Sequence, residues 1–121
     1  MYKVRADINL NRLYLTLSGF LSAEETIDIK QDIIIEVNKL SPGFDVINDI
    51  SLFRLGLDET ANVLNEVVAF LIERKVNRVV RVVGSARAGM IQIAQATKKH
   101  EKYTPVFVPT LAEAEDYLRN K

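Results

Sequence analysis

Tyr2-Lys3-Val4-Arg5-Ala6-Asp7-Ile8, then Asn9-Leu10-Asn11, then Arg12-Leu13-Tyr14-Leu15-Thr16-Leu17-Ser18 is the stretch that decides the fold. Both flanks alternate apolar and polar with period two, the pattern of strands with one buried face. Tyr2, Val4, Ala6 and Ile8 share one side of the first. Leu13, Leu15 and Leu17 share one side of the second, opposite Tyr14, Thr16 and Ser18. Asn9-Leu10-Asn11 is short enough to be a turn, so the two strands are read as an antiparallel hairpin. Gly19 ends the second strand, and Ser22-Ala23-Glu24-Glu25 has the spacing of a capping box that opens a helix. That helix carries Ile29, Ile33, Val37 and Leu40 at helical spacing and stops at Ser41-Pro42-Gly43.

Beyond it, strands and helices alternate. Phe44–Ile50 is read as the third strand. Asp58 is read as the N-cap of a helix running to Lys75, with Ala61, Leu64, Val67, Val68, Leu71 and Ile72 as its core stripe. Val76–Val83 is valine-rich and forms the fourth strand. A third helix begins at Ser85 or Arg87 and carries Met90, Ile93, Ala94 and Thr97 on one face. Thr104–Val108 is the fifth strand, and Thr110-Leu111-Ala112-Glu113 is the capping box of a fourth helix. The order β-β-α-β-α-β-α-β-α predicts an α/β fold: an antiparallel hairpin leading into a mostly parallel five-stranded sheet with four helices. No linker or repeat interrupts residues 1–121, so a single domain is expected.

Composition narrows the function classes. The chain has 121 residues and balances 16 basic against 16 acidic side chains. It lacks the basic excess that phosphate-backbone binding requires, and no nucleic-acid partner is expected. There is no cysteine and a single histidine, His100. Thiol nucleophiles, cysteine metal sites and histidine-clustered zinc have almost no material here, so no metal or cofactor is expected. His100 stands among lysines near the end of the third helix, where cations complement the helix dipole. The longest apolar run, Val67–Ile72, falls short of the ~20 residues that span a bilayer. Together with the absence of cysteine, this reads as a cytoplasmic protein.

In parallel sheets, ligands and partners collect at the carboxyl ends of the strands. Gly19-Phe20-Leu21, Ser51–Leu57 and Gly84–Gly89 reach that edge. The middle connection is unusually apolar for a loop, so Phe20, Leu52, Phe53, Leu55 and Leu57 either tuck into the core or form an exposed binding patch. Ser85 reads first as a helix cap. With Arg87 and the free amides of the helix start, it reads second as an anion seat. Catalysis would need Asp49, Asp58 and Arg87 to converge, and no acid stands where a receiver-type aspartate cluster requires one. A non-enzymatic chain is therefore expected.

The topology, the segment Val46-Ile47-Asn48-Asp49-Ile50-Ser51-Leu52 and the ending Val106-Phe107-Val108-Pro109-Thr110-Leu111-Ala112-Glu113-Ala114 resemble the STAS/SpoIIAA-like superfamily of anti-sigma factor antagonists. The resemblance covers nearly the whole chain and implies a regulatory interaction domain. In that family the turn into the second helix bears a serine that a partner kinase phosphorylates. Here the matching stretch is Gly56-Leu57-Asp58-Glu59, without serine or threonine, so the phosphoswitch does not carry over. Asp58 is either a phosphate mimic or a helix cap.

The expectation is a non-catalytic module that binds a protein partner, or its own copy as a homodimer, through Phe20, Leu52, Phe53, Leu55, Leu57, Asp58, Ser85 and Arg87. The alternative is a carrier for a small apolar or anionic ligand, with a pocket between Phe20, Phe53, Leu57 and Met90.

Overall fold

The structure, a computed structural model, describes residues 1–54, 56, 58–84 and 104–119. Its elements are β1 (Tyr2–Asp7), β2 (Arg12–Gly19), α1 (Ala23–Val37), β3 (Asp45–Phe53), α2 (Asp58–Glu73), β4 (Val79–Val82), β5 (Val106–Val108) and α3 (Leu111–Arg119). The five strands lie side by side in chain order. β1 and β2 run antiparallel, and every later neighbour is parallel. Among the described residues there are three helices against the four expected. The helix starting at Ser85 or Arg87, with His100 near its end, lies outside the described residues.

The hairpin forms as its alternation requires. Asn11 turns the chain at φ 51, a left-handed conformation that asparagine tolerates better than most residues. Its side chain then ties the turn to the end of α1 by accepting from the Ser41 amide at 2.8 Å. Ile8 does not share the buried side of β1. The strand stops at Asp7, and Ile8 is 65% exposed in the turn.

The Ser22 capping box is complete: the Ser22 hydroxyl accepts from the Glu25 amide, and the Glu25 carboxylate accepts from the Ser22 amide, both at 3.0 Å. The helix ends on its last turn at Asn38, short of the expected Leu40. α2 stops at Glu73, and Lys75 breaks away at φ 67 to turn toward β4. β4 and β5 are shorter than the valine-rich runs suggested, because pairing begins only at Val79 and Val106.

Two clusters fill the two faces of the sheet. Leu13, Leu15, Leu17, Val46, Ile50 and Val79 meet Ile29, Ile33 and Val37 of α1 and Leu64, Val67 and Leu71 of α2. Ile47, Val80 and Val82 meet Ala114 and Leu118 of α3 on the opposite face. Right-handed crossovers between successive neighbours carry α1 and α2 to the same side. Among the described residues only the chain's end returns to the other. α3 reaches the outward Arg12 and Tyr14 of β2, and among the described residues the outward Lys3, Arg5 and Thr16 stay exposed beside it.

Polar contacts pin α3 in place. Glu115 accepts from Tyr14 at 2.8 Å and from the nearly buried Arg12 at 3.0 Å. Burial raises the Tyr14 phenol above its ordinary pKa, against the opposing pull of the Arg12 hydrogen bond. At the same end of the sheet, where Asp45 pairs with Arg12, Arg78 bridges Asp45 at 2.8 Å and the Leu118 carbonyl at 3.2 Å. The Asp45 bond raises the Arg78 pKa, so this cation is locked in its charged form.

Candidate functional site

The carboxyl edge of β2 and β3 is built by an irregularity. Thr16 pairs with Asp49 but Ser18 pairs with Leu52, so β3 spends one residue more than β2 over the same length. A bulge of this kind reverses the alternation beyond it. Val46, Asn48 and Ile50 point toward α1 and α2. Without the bulge Leu52 would follow them inward. With it, Phe53 turns into the core at 2% exposure and Leu52 faces outward at 73%. The apolar connection thus begins as strand, not loop, and divides between core and surface.

Gly19 stands at φ +60, a left-handed conformation that glycine reaches without a Cβ clash. Its carbonyl accepts from the Arg54 amide at 3.0 Å, which closes the edge. The chain then delivers Phe20 to the surface at 63% exposure. The ring rests on Gly56: a Cβ there would stand 2.5 Å from Phe20 Cδ1, too close to be accommodated without a shift. Phe20 and Leu52 therefore form the exposed apolar part of this edge.

Next to it α2 begins with Asp58 and Glu59, two exposed acids whose charge complements the helix start. Asp58 stands within the helix as its first residue rather than ahead of it as a cap. The nearest hydroxyl along the chain, Thr60, is 2% exposed and shares a 2.9 Å hydrogen bond with the buried Thr26 hydroxyl. Of the residues expected to bind, Phe20, Leu52 and Asp58 are exposed at this edge, and Phe53 belongs to the core. Leu55, Leu57, Ser85 and Arg87, and Met90 of the alternative pocket, lie outside the described residues.

Asp49 is occupied locally. Its Oδ1 accepts from the Ser51 amide at 3.0 Å and the Ser51 hydroxyl at 2.7 Å. Across the sheet Asp49 is in register with Val82, and Asn48 with Arg81. Among the described residues no group of three histidine, aspartate or glutamate side chains is placed to hold a metal ion. No helix among them is long and apolar enough to cross a membrane.

On the open face of the sheet a hollow of about 640 Å³ is bounded by Lys3, Arg5, Tyr14, Thr16, Asp49 and Glu115. Sequence reading passed over this face. Its signal was present in the alternation of Lys3 and Arg5 with Val4, but which face stays uncovered depends on where α3 lands.

Comparison with solved structures places this architecture. The anti-sigma factor antagonist SpoIIAA in its unphosphorylated form superposes with a TM-score of 0.66 at 14% identity, covering 100% of both chains. The fold is SpoIIAA-like. A second SpoIIAA-like structure, an anti-sigma factor antagonist from Mycobacterium paratuberculosis, gives a TM-score of 0.61 at 18% identity, over 99% of this chain and 96% of that one. No family model matches the sequence, and no curated protein does. The SpoIIAA-like backbone is thus retained under a sequence with few matching side chains, and the fold carries the resemblance.

Proposed function

We propose that this chain is a non-catalytic, regulatory protein-interaction domain that works without a phosphorylatable serine at the start of α2. The observation that carries the reading is the pair of exposed apolar side chains, Phe20 and Leu52, at the carboxyl edge of β2 and β3 beside the acidic first turn of α2. Large apolar groups are costly to leave in water, and exposed apolar side chains on one sheet edge near fixed charges have the composition of a binding hot spot with a polar rim. Both similar structures are anti-sigma factor antagonists, which favours a protein partner over a substrate. Thr60 supports the absence of a phosphoswitch, because its hydroxyl is sealed against Thr26 where no kinase reaches it. Asp58 then supplies a permanent negative charge close to the position where the anti-sigma factor antagonists carry a phosphorylatable serine.

A photo-crosslinking residue placed at Leu52 tests the reading, with partners quantified by mass spectrometry. Phe20→Asp in the same background is expected to lower capture of the crosslinked partner at least tenfold, since loss of a hot-spot aromatic costs about 2 kcal/mol. The thermal melt should stay unchanged. Equal capture by the substituted chain would sink the assignment of this edge.

A further inference from the structure

β1 is an edge strand. Among the described residues it pairs with β2 on one side and with no strand on the other. Met1 and Ser18 exchange both backbone hydrogen bonds, at 2.9 Å each. Antiparallel pairs alternate, so Lys3, Arg5 and Asp7 also direct their N–H and C=O groups at β2, while Tyr2, Val4 and Ala6 direct theirs outward. The Ala6 amide agrees, since it donates outward to Glu36 Oε1 of α1 at 3.0 Å. Asp32 of α1 takes the Tyr2 hydroxyl. Between these two guards the Val4 amide and the neighbouring carbonyls are left as an open template.

The side chains along this edge are as specific as its backbone. Lys3 and Arg5 are exposed on the open face at the rim of the hollow. Lys3 has no ion pair among the described residues. Arg5 lies over the Tyr14 ring at 4.4 Å, and the Asp7 carboxylate is 3.9 Å from it. On the other side of the edge the partly buried Val4 packs against the core cluster, between the Asp32 and Glu36 contacts. The edge therefore presents two cations above and the apolar flank of Val4 below.

We propose that β1 accepts an extended segment of a partner protein by strand addition, and that the segment reads acidic–apolar–acidic. Its two acids lie opposite Lys3 and Arg5, and the apolar residue between them lies opposite Val4. Paired about Val4, a second copy sets Lys3 against Arg5 twice, and like charges directly opposite are destabilising. Paired about Arg5, it sets Lys3 against Asp7 twice but Arg5 against Arg5, so no register of the copy offers acids to both Lys3 and Arg5. This surface is separate from the edge at Phe20 and Leu52, and does not rest on it.

The test uses the full chain, amide NMR spectra and two capped pentapeptides at millimolar concentration, Thr-Glu-Val-Glu-Thr and Thr-Lys-Val-Lys-Thr. The acidic peptide is expected to shift the Tyr2, Val4 and Ala6 amides, and the basic one to leave them in place. Val4→Pro removes an outward N–H that β2 does not use, and should weaken binding at least tenfold. The double substitution Lys3→Glu with Arg5→Glu should reverse the choice of peptide and decides the matter alone if the proline variant does not fold. Phe20→Asp should bind the acidic peptide as the parent does. Silence from both peptides, equal shifts from both, or an unreversed choice in the charge-inverted chain overturns the proposal.

Discussion

Tyr2 shows how one contact between elements becomes a pH dependence. Burial, the hydrogen bond to Asp32 and the charges of Asp32, Asp28 and Glu25 all favour the neutral phenol, and its pKa is pushed up to about 12. An unfolded tyrosine titrates near ~10. The folded state therefore holds its proton longer, and the stabilisation is complete below about pH 10 and is lost as pH rises toward about 12. Urea midpoints measured from neutral to strongly alkaline pH should fall across this window, and Tyr2→Phe should flatten the fall. Titration of phenolate absorbance should lose one late-ionising group in that variant; if it does not, the Asp32 contact is not what holds the proton. At this scale the sequence showed that Tyr2 sits on the buried side of β1. That its hydroxyl meets Asp32, 30 residues away, required the packing of α1 on the hairpin.

Among the elements, legibility followed the range of the forces. The Ser22–Glu25 box is local, four residues satisfying their own orphan amides, and it formed as read. Leu13, Leu15 and Leu17 are all buried, because a period of two admits one inward face. β3 resisted the same logic past Ile50. Its last residues take their conformation from the end of β2, and the bulge that sends Phe53 in and Leu52 out exists only in the pairing. α3 was legible as a helix from Thr110 onward, and the Glu113 amide does donate to the Thr110 hydroxyl at 3.2 Å. Its place was not legible, since nothing in Ala114 or Leu118 says which face of the sheet they cover. Leu118 is 2% exposed against Val80 and Val82, so Leu118→Ala should cost about 2–5 kcal/mol in urea unfolding. A loss under about 1 kcal/mol would mean that α3 contributes little to the fold.

For the molecule as a whole, the charges along β1 make a prediction about how copies meet in the Val4-centred register. If like charges keep this edge from pairing with itself, reversing one of them should let it pair. Lys3→Glu puts a carboxylate opposite Arg5 of the other copy in both halves of the Val4-centred register. Light scattering should then detect a larger species than in the parent chain, dissolving in ~1 M salt, where the screening length shrinks to about 3 Å. Unchanged mass would show that the carboxylates of α1 alone close the edge. The sequence by itself determined the five strands, three of the four expected helices and the order in which these run, because amphipathic period, capping and turn chemistry act over a few neighbouring residues. It also determined the balance of charge, 16 basic against 16 acidic side chains. Tertiary structure decided which residues meet solvent at the two candidate surfaces. Phe53 was drawn inward and Leu52 turned outward by a register between two strands, and β1 became an edge because, among the described residues, the sheet grows from β2 toward β5. Burial and exposure depend on which partner an element finds across the fold, and that partner is chosen by the free energy of the whole packing rather than by any local run of residues.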